Sequence, residues 1–576
     1  MLTDDEIRAD LARLKDIVAA HKAADAELAV HEEQVGDQRL TVFSKIPENL
    51  GQLYQLGLAE PDLPFLVYQH ERYTFAEALD MARRLGRVLL ESYGIKRGER
   101  VAICARNSPE WCLAYMGITL IGAVVVPMNS WWQGPELAYG LKDSGSRLVF
   151  ADPLRAQQMQ DSLSQLDVAL VQIKPDTVSA QAPEFYSLLD GVAPLSDAEI
   201  DALAVAADDD ASIMYTSGST GEPKGVLSSH RAIISAPYTW KFVKEINEIL
   251  RPELVEENPE FQPAILANVP LFHVTGSHAQ FLSCFLYCRK FVMMYKWDAD
   301  RALELIEAER ISVFHGVPTM TWELMHADNF PQTDLRSLRQ VQSGGAPRPP
   351  EHLKLMQEKF PERALPGLGY GLTETNAIGA IISGKFYLAR PHSTGRPSPP
   401  VTAVKIVDEQ GQTLEAEQVG EICIKGPTLM KGYWNKPEAT AEVLIDGWFH
   451  TGDIGYLDSL GFLIISDRAK DIVIRGGENI GCAEVEYAIS EHPAVNEVSV
   501  YGIPDERLGE LPVASVMLRQ GAELDADELK AFLADKIAAF KIPASFDFQY
   551  QQLPRLGTGK IAKRQLREQA IARLQS

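Results

Sequence analysis

The chain has 576 residues, which is too long for a single hydrophobic core, so two or more domains are expected. With 46% hydrophobic and 23% charged residues, its composition is that of an ordinary globular protein. The 79 acidic residues outnumber the 55 basic ones, and the resulting net charge of −24 argues against a nucleic-acid partner.

Residues 1–45 are rich in Ala and Glu and are predicted to form a helical N-terminal extension. This charged start lacks the apolar stretch of a signal peptide, and no run of about 18 apolar residues predicts a transmembrane segment. The six cysteines form no CxxC pair, so free thiols are expected rather than a metal site. Together these features predict a cytoplasmic location.

From about residue 60 to 460, apolar strand-like runs alternate with helical patterns. VAICA (101–105) is followed by Ser108 and Pro109, a typical helix start, and SVFHGVP (312–318) leads into another helical segment. Repetition of strand, small-residue loop and helix predicts mainly parallel sheets flanked by helices. In such sheets, ligands bind at the carboxyl ends of the strands.

After about residue 465 the pattern becomes that of a small α+β unit of about 105 residues. The predicted fold class is therefore α/β, with a large N-terminal domain of mainly parallel sheets and a small mobile α+β C-terminal domain. The predicted boundaries are residues 46–469 for the large domain and 470–576 for the small one.

The segment YTSGSTGEPKG, Tyr215–Gly225, is too rich in Gly, Ser and Thr for a simple turn. Glycines let backbone N–H groups converge, hydroxyls add donors, and Lys224 supplies positive charge, as a phosphate-binding loop requires. It is not a Walker A loop, because Gly225 rather than Ser or Thr follows the lysine.

Three further Gly- and Thr-rich segments occur: SGGAP (343–347), GYGLTETN (369–376) and GWFHTGDIGYLD (447–458). Glu374 offers the hard carboxylate that Mg²⁺ prefers, and Asp453 is suited to accept hydrogen bonds from ribose hydroxyls. SGGAP provides bare backbone for a flat adenine slot. Each motif alone is typical of a turn, but their combination and order are specific.

In this order the motifs resemble the AMP-forming adenylate synthetase superfamily of acyl-CoA synthetases, peptide-synthetase adenylation domains and firefly luciferase. The resemblance covers YTSGSTGEPKG, VPLFHVTG, SGGAP, GYGLTE, WFHTGD, DRAKD, GGENI, AEVE and GTGK, between residues 215 and 560. It implies an AMP-forming acid–thiol ligase, most like a fatty acyl-CoA synthetase. ATP and a carboxylic acid would give acyl-AMP and pyrophosphate, and thiol attack by coenzyme A would then give the thioester and AMP.

The resemblance also implies residue roles. Lys560 would bridge the carboxylate and the α-phosphate, Thr373 would contact that phosphate, Glu374 would hold Mg²⁺, and Lys470 would be the interdomain hinge. The implied ATP- and AMP-binding residues are Thr216, Ser217, Gly218, Ser219, Thr220, Gly221, Lys224, Gly345, Ala346, Pro347, Gly369, Tyr370, Gly371, Asp453 and Arg468.

The acid pocket is expected around VPLFHVTG, where amino-acid-activating members carry an Asp and this chain has His273. The predicted lining is His273, Val274, Thr275, Gly276, Val317 and Ala377. Because no Arg or Lys stands in that set, an apolar monocarboxylate is predicted, a medium- or long-chain fatty acid ahead of an aryl or cinnamate-like acid. Whether His273 takes part in the chemistry and gates the pocket or is purely structural stays open.

The resemblance places the pantetheine tunnel for coenzyme A beside Gly476 and Gly477, where a Cβ would obstruct the thiol. Cys482 departs from the family, which often has Pro or Ser at this position. Transfer to a carrier protein and a luciferase-like oxygenase remain alternatives, whereas retention of Lys224, Glu374 and Lys560 disfavours a catalytically inactive binding protein. The expected partners are small molecules, and a monomer or homodimer is expected.

Overall fold

The computed structural model describes residues 3–23, 26–174, 182–216, 223–252, 261–346, 348–468, 472–475, 478–505, 507–534, 536–556 and 560–575, without the side chains of 467, 468, 474, 478, 479, 574 and 575. Within these ranges, no helix is long and apolar enough to cross a membrane.

The N-terminal extension is only half helical. Helix α1 (Asp4–His21) is followed by a hairpin of β1 (Val30–Val35) and β2 (Gln38–Phe43), which corrects the expectation of a helical segment over residues 1–45. The hairpin forms because polar and apolar residues alternate in QRLTVF and because Gly36, with φ of +56°, allows the turn. Asp10 on α1 pairs with Arg251 of the large domain.

The first sheet of the large domain has seven strands. In spatial order they are β20 (Gly432–Tyr433), β10 (Lys224–Ser229), β9 (Asp210–Thr216), β6 (Val124–Pro127), β5 (Arg100–Cys104), β7 (Leu148–Ala151) and β8 (Ala169–Gln172). The strands from β9 to β8 are parallel, whereas β10 and β20 are antiparallel additions at one edge. The antiparallel pair β9–β10 therefore brings the two ends of the predicted phosphate loop together.

The second sheet has nine strands. In spatial order they are β17 (Arg396–Pro397), β16 (Ala380–Ser383), β15 (Leu365–Tyr370), β14 (Gln340–Gly344), β13 (Val313–Gly316), β11 (Ala264–Ala267), β12 (Lys290–Met293), β3 (Pro64–Tyr68) and β4 (Glu71–Thr74). From β15 to β3 all pairings are parallel. The carboxyl ends of β13, β14 and β15 consequently lie side by side.

Helices cover both sheets. Those of the large domain are α2 (Leu50–Gln55), α3 (Phe75–Glu91), α4 (Pro109–Leu120), α5 (Gly134–Ser144), α6 (Pro153–Leu166), α7 (Asp197–Ala202), α8 (His230–Leu250), α9 (Ala299–Ala308), α10 (Pro318–His326), α11 (Pro350–Lys359), α12 (Gly384–Ala389) and α13 (Pro437–Val443). Every residue of α4 is buried because this helix packs between strands of the two sheets. A π-helical segment, Thr275–Phe281, continues into a 3₁₀ helix, Leu282–Leu286; further 3₁₀ turns are Leu56–Ala59, Tyr186–Leu188, Phe330–Gln332, Thr373–Thr375 and Ala539–Lys541.

A third, antiparallel sheet leads toward the C-terminal unit. It contains β18 (Ala403–Val407), β19 (Gly420–Lys425), β22 (Trp448–Leu457), β21 (Leu444–Ile445) and β23 (Leu463–Arg468). The C-terminal unit has a sheet of β25 (Glu478–Ile480), β24 (Val473–Arg475), β27 (Gly509–Leu518), β26 (Val495–Asp505) and β28 (Ser545–Gln549), with α14 (Cys482–Ser490), α15 (Ala526–Ala534) and α16 (Lys563–Gln575). The predicted α/β class, with an α+β C-terminal part, is confirmed.

Candidate active site

One large cavity opens at the carboxyl ends of β13, β14 and β15. Its volume is about 1590 Å³, and its wall includes residues of both large sheets, the third sheet and the C-terminal unit. Single ligand pockets are typically about 300–1,000 Å³. The cavity is therefore large enough to hold two substrates end to end.

Most of the predicted site residues that the structure describes meet on this wall. They are Thr216, Lys224, His273, Val274, Thr275, Val317, Gly345, Gly369, Gly371, Thr373, Glu374, Ala377 and Lys560. Residues separated by up to 344 positions in the sequence (216 to 560) thus surround one space. The parallel register explains this convergence, because each loop leaves its strand at the same edge of the sheet.

The remaining predicted residues fall into two groups. Four lie off the wall: Gly276, Ala346, Tyr370 and Asp453. A Cβ on Gly276 would be 2.4 Å from the carbonyl oxygen of Pro270, so this glycine serves close backbone packing rather than the pocket surface. Outside the described residues are Ser217, Gly218, Ser219, Thr220, Gly221, Pro347, Lys470, Gly476 and Gly477, together with the side chain of Arg468.

The two ends of the phosphate-loop motif lie opposite each other in the β9–β10 ladder. Thr216 pairs with Lys224 across the ladder, and both residues line the cavity. The Lys224 ammonium lies 4.8 Å from the ring centre of Tyr433, which is within cation–π range. This packing holds the positive charge at the cavity wall.

Lys560 reaches the cavity from the C-terminal unit. A Cβ placed on Gly345, whose φ is +77°, would be 3.3 Å from Lys560 Cε and 3.6 Å from Nζ. The lysine side chain therefore lies directly over the backbone of the SGGAP motif. Glycine suits position 345 both because of its left-handed backbone and because of this close approach.

The GYGLTETN loop folds tightly onto itself. A Cβ on Gly371 would be 2.3 Å from the carbonyl carbon of Ala377, so no other residue fits there without movement of the backbone. The fold of this loop places Thr373 and Glu374 on the wall. Glu374 is only 9% exposed, and its Oε1 accepts a hydrogen bond of 2.9 Å from the Tyr433 hydroxyl.

Asp453 is held behind the wall. It is 4% exposed, and its Oδ2 accepts a hydrogen bond of 2.5 Å from the Tyr370 hydroxyl. Its backbone N–H donates to Thr451 Oγ1 at 3.0 Å. In the β22–β23 ladder, Asp453 pairs with Arg468. The two residues predicted to bind ribose are therefore neighbours in one ladder.

Two histidines on the wall are uncharged near neutral pH. Burial lowers the pKa of His273 to about 3, with a further contribution from the nearby Lys560 charge. Burial, assisted by the positive charge of Arg348, lowers the pKa of His315 to about 4. The middle of the cavity thus presents neutral imidazoles, which do not repel Lys560.

An arm of the cavity extends away from Lys560 between three walls. One face of α8 supplies Trp240 and Val243, and the second sheet supplies Ile265 and Val313. The third wall is the face of the π-helical segment and the 3₁₀ helix that follows it, with Thr275, Ala279 and Ser283 at intervals of four residues. Only the start of this wall was predictable from the sequence, because its members are scattered and carry no motif.

The arm also contains two basic residues, Lys244 and Arg289. The sequence-based prediction of a lining without Arg or Lys covered only the residues near His273. It missed these two because they lie farther along the arm, on α8 and just before β12. The arm is therefore apolar along its length and polar at its far end.

Comparison with known proteins fixes the family. A family model described as AMP-binding enzyme matches residues 57–434, and one described as AMP-binding enzyme C-terminal domain matches residues 484–560. The chain belongs to the AMP-binding enzymes. The resemblance inferred from the motifs is confirmed.

Relatives of this AMP-binding enzyme cover nearly its whole length. A long-chain-fatty-acid–CoA ligase of Bacillus subtilis is 33% identical over 537 residues, which is 88% of this chain and 92% of the relative. A feruloyl-CoA synthase of an Amycolatopsis species is 35% identical over 499 residues, covering 86% and 93%. ATP-bound MatB from Rhodopseudomonas palustris is structurally similar, with a TM-score of 0.78, 27% identity and coverage of 91% and 99%.

One residue of this AMP-binding enzyme's site was missed in the sequence. Tyr433 lies in KGYWN, between the GYGLTETN and GWFHTGDIGYLD motifs, and was not singled out, although it contacts both Lys224 and Glu374. Burial and the Glu374 carboxylate raise the pKa of its hydroxyl, so Tyr433 remains a hydrogen-bond donor at neutral pH. The only signal in the sequence was a hydroxyl-bearing aromatic residue next to a glycine, which is too common to be specific.

Proposed function

We propose that this AMP-forming acid–CoA ligase activates an apolar monocarboxylic acid, a medium- or long-chain fatty acid, as an acyl-AMP. Pyrophosphate is released, and the acyl group then passes to coenzyme A with release of AMP. The observation that carries the proposal is the place of Lys560. Its side chain lies over Gly345, between the loops matched to nucleotide binding and the apolar arm.

On the nucleotide side, Thr216 and Lys224 flank the loop proposed to hold the β- and γ-phosphates, and Thr373 is proposed to contact the α-phosphate. Gly345 and Ala346, with Pro347, form the proposed adenine slot. The proposed ribose acceptor, Asp453, already accepts a hydroxyl hydrogen bond from Tyr370. This contact supports the assignment, because a ribose hydroxyl is a donor of the same kind as the Tyr370 hydroxyl from which Asp453 accepts a hydrogen bond.

Glu374 is the proposed ligand of Mg²⁺, and its surroundings fit that metal. It supplies a hard oxygen on the cavity wall, oriented by the Tyr433 hydroxyl at 2.9 Å. Mg²⁺ is commonly held by one or two carboxylates together with substrate phosphates. When bound, the ion neutralises charge on the phosphates.

The chemistry requires a negatively charged carboxylate to attack a negatively charged phosphate. Lys560 supplies a positive charge at the point where these two groups meet, which lowers the electrostatic part of the barrier. Neutral His273 adds no opposing positive charge near Lys560 and leaves the neighbouring wall suited to an uncharged acyl chain. The proposed role of His273 is therefore to shape and gate the pocket.

Thiol attack requires access to the same acyl carbon from another direction. We assign the proposed pantetheine tunnel to Gly476 and Gly477, and the proposed hinge to Lys470. Lys560 and both glycines belong to the proposed small domain. In a single orientation, this domain cannot place both the Lys560 cation and the open tunnel at the same acyl carbon. Rotation of this domain between the half-reactions is the proposed solution.

An aromatic acid of the cinnamate type is the second candidate substrate. It is favoured by the similarity to a feruloyl-CoA synthase at 35% identity and by Trp240 on the wall of the arm, against which an aromatic ring can stack. A fatty acid remains the first candidate because the rest of the arm is lined by aliphatic and small side chains.

The test is AMP release across a panel of acids with coenzyme A present. We expect octanoate, dodecanoate and hexadecanoate to have higher kcat/KM than ferulate, and ferulate to exceed acetate and free amino acids. A phosphopantetheine carrier protein in place of coenzyme A should support little thioester formation. The proposal would be contradicted if acetate or an amino acid had the highest kcat/KM, or if transfer to the carrier protein were faster than transfer to coenzyme A.

A further inference from the structure

The far end of the arm contains a buried cation without an acceptor. Arg289 is 9% exposed and lines the cavity. Its guanidinium lies 4.8 Å from the ring centre of Tyr287, but within the described part of the chain it has no hydrogen-bond or ion-pair acceptor. Burying a charge without such a partner is costly, so the arrangement is better satisfied when a ligand supplies the acceptor.

The neighbouring lysine is different. Lys244 lines the same end of the arm, but its ammonium forms a 2.5 Å ion pair with Glu248 one turn along α8. Its charge is therefore already matched, and it is about one-third exposed. Of these two cations, Arg289 is thus the one with unused hydrogen-bond donors among the described residues, and Asn247 and Gln340 line the same cavity.

Arg289 and Lys560 lie at opposite ends of the second sheet. Arg289 immediately precedes β12, at its amino end, whereas Gly345, which Lys560 covers, follows the carboxyl end of β14. Gln340 and Gly344, the first and last residues of β14, both line the cavity. At about 3.3 Å per residue, the cavity follows this strand for roughly 13 Å. An extended acyl chain can cover such a distance.

We propose that Arg289 determines substrate specificity by donating hydrogen bonds to an oxygen at the far end of the acid. The preferred substrate then has a carboxylate at Lys560, an apolar body against Val243, Ile265 and Ala279, and a hydroxyl, ketone or second carboxylate oxygen at Arg289. This inference rests on the proposed acid–CoA ligase function, but it replaces the plain fatty acid by an acid that carries an oxygen at its far end, and a preference for the diacid would correct the monocarboxylic part of that proposal. The planar guanidinium suits such oxygens because it presents several donors in a fixed geometry.

The experiment compares three acids of equal length: dodecanoate, ω-hydroxydodecanoate and dodecanedioate. The wild-type enzyme should show at least a tenfold higher kcat/KM for one or both oxygen-bearing acids than for dodecanoate. A preference for the hydroxy acid identifies a neutral oxygen as the group recognised, and a preference for the diacid identifies a carboxylate. Equal or lower kcat/KM for both would overturn the inference without any variant.

Variants then locate the effect. Arg289→Met keeps an unbranched side chain like the aliphatic stem of arginine and removes the donors, so the preference should fall at least tenfold while kcat with dodecanoate changes less than threefold. Arg289→Lys should retain part of the preference, and Lys244→Met, which removes the already paired cation, should retain all of it. A full preference in folded Arg289→Met would overturn the inference. AMP release with dodecanoate separates the two proposals, because its loss from the wild-type enzyme would reject the ligase function itself.

Discussion

The proposed nucleotide end and the proposed acyl end of the cavity are built in different ways. The nucleotide end consists of short loops that follow strand ends, and each loop carries its residues within about ten positions, as in Thr216 to Lys224. The acyl end consists of faces of regular elements, with Trp240, Ala279 and Val313 contributed by three separate segments. The residues of each loop are therefore close together in the sequence, whereas the residues that shape the acyl arm come from distant parts of it.

This difference explains which parts of the site were predictable. Gly371 is required by close backbone approach and Gly345 by its left-handed backbone, so the motifs around them have little freedom to vary and are recognisable. The positions of the acyl arm require only size and polarity, which many residues satisfy. The proposed role of Arg289 could not be predicted, because it depends on the absence of an acceptor among the described residues, which only the packed structure reveals.

The fold follows the same rule. The alternation of strand, loop and helix predicted the α/β class, because parallel strands need crossover helices. The helical expectation for residues 1–45 was wrong after His21, because the compositional bias toward Ala and Glu obscured the short alternating run around Gly36. A strand of six residues contains too few alternations for its pattern to outweigh the helical composition of the whole segment.

The largest expected effect is at the junction between the two ends. Lys560→Ala should lower acyl-AMP formation by about two to three decades, the scale for loss of a key electrostatic stabiliser. Conversion of supplied acyl-AMP and coenzyme A to thioester should persist. Pyrophosphate release and thioester formation measure the two steps separately. Lys563→Ala, which removes a nearby lysine paired with Glu486 at 3.0 Å, is the control and should retain adenylation. Equal loss of both steps in folded Lys560→Ala would contradict domain alternation.

At the nucleotide end, Glu374→Gln should lower adenylation by about two decades, because the amide keeps the shape but removes the charge that Mg²⁺ requires. Tyr433→Phe should lower it by only about tenfold, since it removes one hydrogen bond to a charged group. Both losses should be similar for every acid tested. Adenylation rates measured over a Mg²⁺ titration check this, with the exposed Glu358→Gln as control. Unchanged Mg²⁺ dependence in Glu374→Gln would place the metal elsewhere.

At the acyl end, a variant should discriminate among acids instead. Ala279 lines the arm on the face shared with Thr275 and Ser283, so Ala279→Phe should shorten the available space. We expect kcat/KM for hexadecanoate to fall about tenfold while that for octanoate changes less than twofold. Ala279→Ser, which adds a single oxygen, is the matched control. A uniform loss across chain lengths would mean that the arm does not receive the acyl chain.

The smallest expected effect is on the free energy of unfolding. It concerns the π-helical segment that forms one wall of the arm, not the loops. His278, in the π-helical segment, is fully buried, and within the described residues both ring nitrogens lack hydrogen-bond partners. Burial lowers its pKa to about 3, whereas an unfolded histidine titrates near 6.5. Between these two pH values the unfolded chain binds one more proton than the folded chain. The contribution of neutral His278 to the free energy of unfolding is therefore fully present above about pH 6.5 and decreases as the pH falls below it.

The loss approaches about 1.4 kcal/mol per pH unit for each such proton. His278→Phe removes this titration while keeping an apolar ring, so its free energy of unfolding should fall by about 2 kcal/mol less than that of the wild type between pH 6.5 and 5. Urea unfolding at the two pH values measures the difference, and His70→Phe, at an exposed position, controls for the added ring. If wild type and His278→Phe lose the same unfolding free energy as the pH falls, His278 takes up its proton in the folded protein.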